Sequence, residues 1–118
     1  MATPTPTPGQ AAWVTGATVS RATLSRGSTE NITATVKVDR AITAIVDVEV
    51  YGPNGQKVFQ KYFDNATLAA NTQRTFAASW AVPTGAARGT YMVRIGVFSP
   101  GWSQLYSWNN AAVPFVVN

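Results

Sequence analysis

The chain contains no cysteine and no histidine. Their absence removes disulfides, thiolate and imidazole metal sites, cysteine nucleophiles and every catalytic triad built on an imidazole base. Carboxylates are scarce too, with five in all: Glu30, Asp39, Asp47, Glu49 and Asp64. No loop gathers them at the dense spacing a calcium site needs, so neither a metal nor another cofactor is expected. Nine basic residues leave a net charge of +4, but no three are consecutive. A basic surface so dispersed is a weak footprint for nucleic acid. No window approaches the roughly 18 apolar residues of a membrane span, and the N-terminus lacks the apolar centre of a signal peptide. The expectation is a soluble monomer without nucleic-acid or membrane partners.

What is present begins with a spacer. Met1-Ala2 is followed by TPTPTPG, and alternating Thr-Pro favours extended polyproline II, the conformation of a semi-rigid linker. Residues 1–11 therefore read as the tail of an interdomain linker, and residues 12–118 as one module large enough for a single two-layer core. Such linkers belong to secreted multidomain proteins, so an extracellular location is expected.

After the linker, apolar residues recur with period 2 and no helical period stands out. Strands are predicted over roughly 13–23, 30–38, 43–51, 56–64, 72–81, 90–98 and 105–117. Gly52-Pro53-Asn54-Gly55 is a hairpin turn, because Pro fixes φ and Asn-Gly accepts positive φ. Seven short strands separated by such turns predict an all-β, two-sheet antiparallel sandwich of immunoglobulin or fibronectin III type. Alternation points Val46, Val48 and Val50 inward, with Tyr91, Val93, Ile95 and Val97. Asp47, Glu49, Arg94 and Gly96 then face outward. Tyr91, in Gly-Thr-Tyr, resembles the corner tyrosine of such sandwiches, and Trp80 alternates with Phe76 and Ala78 as a core residue should.

The last two strands are joined by a segment with more aromatics than a core needs. Trp102, Tyr106 and Trp108 lie among Ser, Gln and Asn, and rings on a loop among amides suit stacking on pyranose C–H faces. Tyr106 and Trp108 share outward parity unless a bulge near Asn109-Asn110 intervenes; alternatively, one ring folds back over the sandwich end. Asp47, Glu49, Arg94, Gln60 and Asn109 could hydrogen-bond sugar hydroxyls beside these rings, with Gly96 admitting a ligand to the backbone. A solvated ion pair between Arg94 and a carboxylate is an equally good reading of the charges. Tyr62 and Phe63 must point to opposite faces; Tyr62 is assigned to the core and Phe63 to a possible extra platform.

The segments VDVEVYGPNGQKVFQKYFDN, FAASWAVP and GTYMVRIGVFSPGWSQLYSWNNAAVPFVV resemble the immunoglobulin-like, carbohydrate-binding-module-like accessory domains of bacterial secreted glycoside hydrolases. The resemblance covers nearly everything after residue 12. It implies a non-catalytic module that targets an attached catalytic domain to a polysaccharide or oligosaccharide such as β-glucan, xylan or mannan. The alternative is a structural spacer beside that catalytic domain, and exposure of Trp102 and Trp108 discriminates between the two. Hydrolysis by the module itself is not expected. Asp47 and Glu49 lie about 7 Å apart along one strand face, yet a flat exposed sheet supplies neither a cleft nor the desolvation that raises a general acid's pKa.

Overall fold

The computed structural model describes residues 11–118. The Thr/Pro segment read as a linker lies outside the described residues, apart from Ala11. Eight strands follow in chain order: β1 (Trp13–Val19), β2 (Thr23–Leu24), β3 (Thr29–Val38), β4 (Ile42–Tyr51), β5 (Lys57–Leu68), β6 (Arg74–Ala81), β7 (Gly89–Phe98) and β8 (Leu105–Val117). They form a three-stranded sheet in the order β1-β3-β6 and a five-stranded sheet in the order β2-β8-β7-β4-β5. The fold is the predicted all-β sandwich, with the expected adjacency of β4, β7 and β8.

The departure from expectation is at the first strand. Sequence alternation runs it continuously over 13–23, whereas the chain leaves β1 after Val19 and crosses to the other sheet. There β2 pairs with β8 in parallel, Thr23 opposite Val116 and Leu24 opposite Val117, while every other pair among the described strands is antiparallel. Glu30 holds the crossing in place. It is fully buried at the start of β3, and its Oε1 accepts from Ser20 Oγ at 2.9 Å and from the Arg21 backbone N–H at 3.0 Å. A buried carboxylate with two donors substitutes for the ladder bonds the chain gives up as it switches sheets.

Between the sheets lies an apolar core. Ile32, Ala34, Val36 and Val38 of β3 meet Val46, Val48 and Val50 of β4 and Val93, Ile95 and Val97 of β7, all buried as their parity requires. At one end Trp80, Tyr91 and Phe115 pack in a ring cluster with centroids 5.5–6.2 Å apart. The hairpin joining β4 to β5 turns where predicted, with Gly55 at φ 77° and the Gly52 N–H donating to the Gln56 carbonyl at 2.8 Å.

Tyr91 anchors the β6–β7 crossover, its hydroxyl donating to the Ala87 carbonyl at 2.6 Å. Tyr91→Phe removes this bond between the buried ring cluster and the exposed crossover, and should lower the unfolding free energy by about 1 kcal/mol. Urea denaturation checks this, and an unchanged midpoint would mean that the corner contributes nothing.

Candidate functional site

The outer face of the five-stranded sheet, turned away from the core, carries the candidate site. Its composition follows from register. Across β5, β4, β7 and β8 the row Tyr62–Asp47–Gly96–Trp108 is continuous, and Gln60–Glu49–Arg94 lies beside it. Pairing is interrupted twice along β8. Between Val113 and Asn109, four positions of β8 span two of β7, so two residues are extra and parity is preserved; Trp108 stays outward. Between Ser107 and Leu105, two positions span one, and that single extra residue reverses parity at Tyr106. A one-residue slip moves a side chain to the other side of a sheet. Tyr106 consequently leaves the outer face and stacks on Trp13 of β1, centroids 5.8 Å apart and planes 14° from parallel.

Trp102 reaches the outer face from the β7–β8 loop. Its ring lies 4.9 Å from that of Phe98 and 5.2 Å from that of Tyr62, the latter edge to face. Both rim rings are solvent-facing, Trp102 at 41% and Tyr62 at 54% of full exposure. The loop is closed by Ser99, which is itself buried. Its backbone N–H donates to the Gln104 carbonyl, its Oγ accepts from the Gln104 N–H and contacts Ser103 Oγ, and its carbonyl accepts from the Trp102 N–H, each at 2.9 Å. This clasp holds Trp102 at φ 68°, directly after Gly101 at φ 83°. A bulky side chain at positive φ costs of order 1–3 kcal/mol, and surrounding structure must over-determine it.

Behind the rings sits a polar layer. Asp47 is fully buried and Glu49 nearly so, at 6% exposure. Asp47 Oδ1 accepts from Gln60 Nε2 at 2.9 Å, and Glu49 Oε1 accepts from the Tyr51 hydroxyl. Desolvation, followed by the neighbouring Glu49 carboxyl, pushes the Asp47 carboxyl from the usual 3.8 up to about 7; Gln60 and Lys57 oppose the shift. Burial and the Glu49 acceptor push the Tyr51 phenol to about 12, which keeps it a donor. Arg94 sits across from Glu49 but lays its guanidinium over the Tyr51 ring, 4.0 Å from the centroid.

Several expectations are corrected by this arrangement. Asp47 and Glu49 are not on an open sheet, because the second face of β4 is covered. Desolvation of a carboxylate is therefore present, contrary to the expectation. Both carboxyls are buried, however, whereas paired catalytic carboxyls must reach and flank a glycosidic bond. Arg94 makes no carboxylate ion pair within 4 Å among the described residues. Gly96 does not admit a ligand, since a Cβ there would meet Phe98 Cε1 at 2.7 Å and Trp108 Cε3 at 3.0 Å. Phe63 and Tyr62 exchange their assigned faces, with Phe63 inward against Phe76 at 5.1 Å and Tyr62 outward. Asn109 is structural, its amide donating to the Thr15 carbonyl and Oγ1 at 3.2 Å. Gln60 is exposed, but its amide is engaged at both ends, by Asp47 and by Lys57 Nζ at 3.1 Å.

No family model matches the chain, and no curated protein matches it in sequence. The architecture has solved counterparts. The C-terminal domain of wzt is similar over 93% of this chain and 74% of its own, with a TM-score of 0.68 at 12% identity. A CARDB domain from Pyrococcus furiosus, solved in complex with di-metal ions, is similar over 93% of this chain and 90% of its own, with a TM-score of 0.63 at 14% identity. A β-glucosidase from Erythrobacter marinus contains a similar fold in 16% of its chain, with a TM-score of 0.58 at 8% identity. At these identities the likeness is one of fold. Among the described residues no group of three or more Asp, Glu, His or Cys is placed to hold an ion.

Of the residues nominated from sequence, the structure brings Trp102, Trp108, Asp47, Glu49, Arg94 and Gln60 to one face, and sends Tyr106, Phe63 and Asn109 elsewhere. Sequence parity faces Phe98 outward without making it part of a platform, whereas Ser99 was missed and Tyr62 was assigned to the wrong face. The Ser99-Pro100-Gly101 turn was the available signal for the loop.

Asp47 also predicts a pH response. Its folded pKa lies above its unfolded value, so its contribution to stability is complete below about pH 4 and is lost as pH rises through about 7. The wild-type thermal midpoint should fall between pH 5 and pH 8, as set by those two values, and Asp47→Asn should flatten the slope. Parallel profiles for wild type and variant would show that Asp47 ionises normally.

Proposed function

We propose that the chain is a non-catalytic carbohydrate-binding module that holds an attached extracellular glycoside hydrolase against a plant-type polysaccharide such as β-glucan, xylan or mannan. The observation that carries this reading is Trp102, locked at positive φ with its ring exposed beside Tyr62 and Phe98. A strained, exposed indole is a poor choice for a spacer and a good one for a stacking platform, because binding then loses no loop entropy. Pyranose rings present C–H faces to such rings, and the platform offers two contiguous exposed surfaces at Trp102 and Tyr62. Occurrence of the fold as a small part of a β-glucosidase chain is compatible with an accessory role. Tethering raises the enzyme's effective concentration at its substrate without altering its chemistry.

Catalysis by the module is not part of the reading. Asp47 and Glu49 occupy a covered layer, away from the solvent-facing surface where the water and sugar that paired catalytic carboxylates flank would have to sit.

Trp102→Ala and Tyr62→Ala should each weaken binding to the retained polysaccharide by about 1–3 kcal/mol with thermal midpoints near wild type. Trp108→Ala should lower the midpoint as well, since that ring covers Gly96. Affinity electrophoresis on a panel of β-glucan, xylan and mannan reads the first effect and thermal denaturation the second. Retention of every polymer unchanged in the Trp102 and Tyr62 variants would sink the platform. Binding should respond weakly to added salt, because neutral glycans release no counterions.

A further inference from the structure

We propose that the seam between the two sheets is a second glycan site, a groove around Trp13 that takes a single neutral oligosaccharide chain; the proposal rests on the carbohydrate reading above. β1 is an edge strand, hydrogen-bonded only to β3, and β8 pairs with β7 along one side and with the two-residue β2 only at Val116 and Val117. Most of the free edge of β8 therefore has no strand partner. β1 packs beside β8 without a ladder, and the Asn109 side chain bridges to Thr15. Two hollows lie along this seam and share Trp13 as a wall. One, of about 460 Å³, is lined by Trp13, Arg40, Ile42, Gln104, Leu105 and Tyr106. The other, of about 370 Å³, is lined by Trp13, Thr15, Ser107, Trp108 and Asn109.

The first hollow has the size of a small-molecule site, the second is a shallower and more open depression, and the Trp13 indole divides the two. The lining chemistry selects the occupant. Rings at Tyr106, Trp13 and Trp108 alternate with the Gln104 amide and the Ser107 hydroxyl, which suits a repeating unit with apolar C–H faces and polar rims. Asp39 sits 3.1 Å from Arg40, so the track offers no net charge to an anionic ligand. Trp108 lies over Gly96 on the outer face and also walls the second hollow, so one ring is shared between the two surfaces. The parity reversal that removes Tyr106 from the platform is what supplies it to the groove.

The test uses the whole chain with cellohexaose, xylohexaose and mannohexaose as separate probes. Nitrogen-15 NMR of the wild type should show one hexasaccharide shifting the indole signals of Trp13 and Trp108 together with the Gln104–Asn109 amides. The exposed double variant Arg40→Ala/Gln104→Ala should weaken that hexasaccharide roughly tenfold in calorimetry, while its retention on the matching insoluble polymer stays at the wild-type level. A shift at Trp102 with Trp13 silent at saturation would overturn the groove and leave the platform standing. Shifts at Trp13 combined with polymer retention insensitive to Trp102→Ala would support the groove and reject the platform. No indole shift with any probe, and no polymer retained, would overturn both.

Discussion

A strand covered on both faces cannot solvate a charge, and β4 carries two carboxylates into that position. On one face Val46, Val48 and Val50 complete the core; on the other Asp47 and Glu49 lie below the outer rings. Two buried carboxylates side by side cannot both ionise at reasonable cost, and the nearest guanidinium is occupied with Tyr51. The solution is one donor to each carboxyl, Gln60 to Asp47 and Tyr51 to Glu49, with the Asp47 pKa raised so that its neutral form is favoured over mutual repulsion. Asp47 Oδ2 and Arg94 Nε stay without a hydrogen-bond partner, but the bonds from Gln60 and Tyr51 each fix one carboxyl, since displacing either leaves a further buried oxygen unpaired. The outer face of the sheet is thus a second, thinner interior with its own geometry.

That rigidity gives the platform its footing. Tyr62 stands opposite Asp47 on β5, and Phe98 and Trp108 close over Gly96 on β7, so three of the four rings rise directly from the ordered layer. Trp102 arrives from outside it and is fixed by the Ser99 clasp instead. A ring held in a disfavoured backbone conformation by four contacts from one buried serine is preorganised, and preorganisation converts contact area into affinity by removing the cost of ordering. The same loop continues through Gln104 to Tyr106, so one short segment furnishes an aromatic ring to each of two surfaces.

The strand map was legible because sandwiches bury one face of most strands, and period-2 alternation reports that directly. The core residues of β3, β4 and β7, the Gly52–Gly55 hairpin and the Tyr91 corner are all local patterns. Less legible was anything that depends on what covers the second face. Asp47 and Glu49 alternate with valines as solvent-facing residues do, and nothing in that alternation announces that both are buried.

Sequence by itself determined the all-β class, the strand spacing, the inward faces and the presence of more aromatic rings than the core could absorb. Tertiary structure decided where those rings went. Two extra residues in β8 left Trp108 outward and one more turned Tyr106 to Trp13, because side-chain direction in a strand depends on the parity of an insertion. The Tyr62 and Phe63 pair was decided in the same way, by the register of β5 against β4. Parity is set by backbone pairing between strands distant in the chain, and composition carries no record of it.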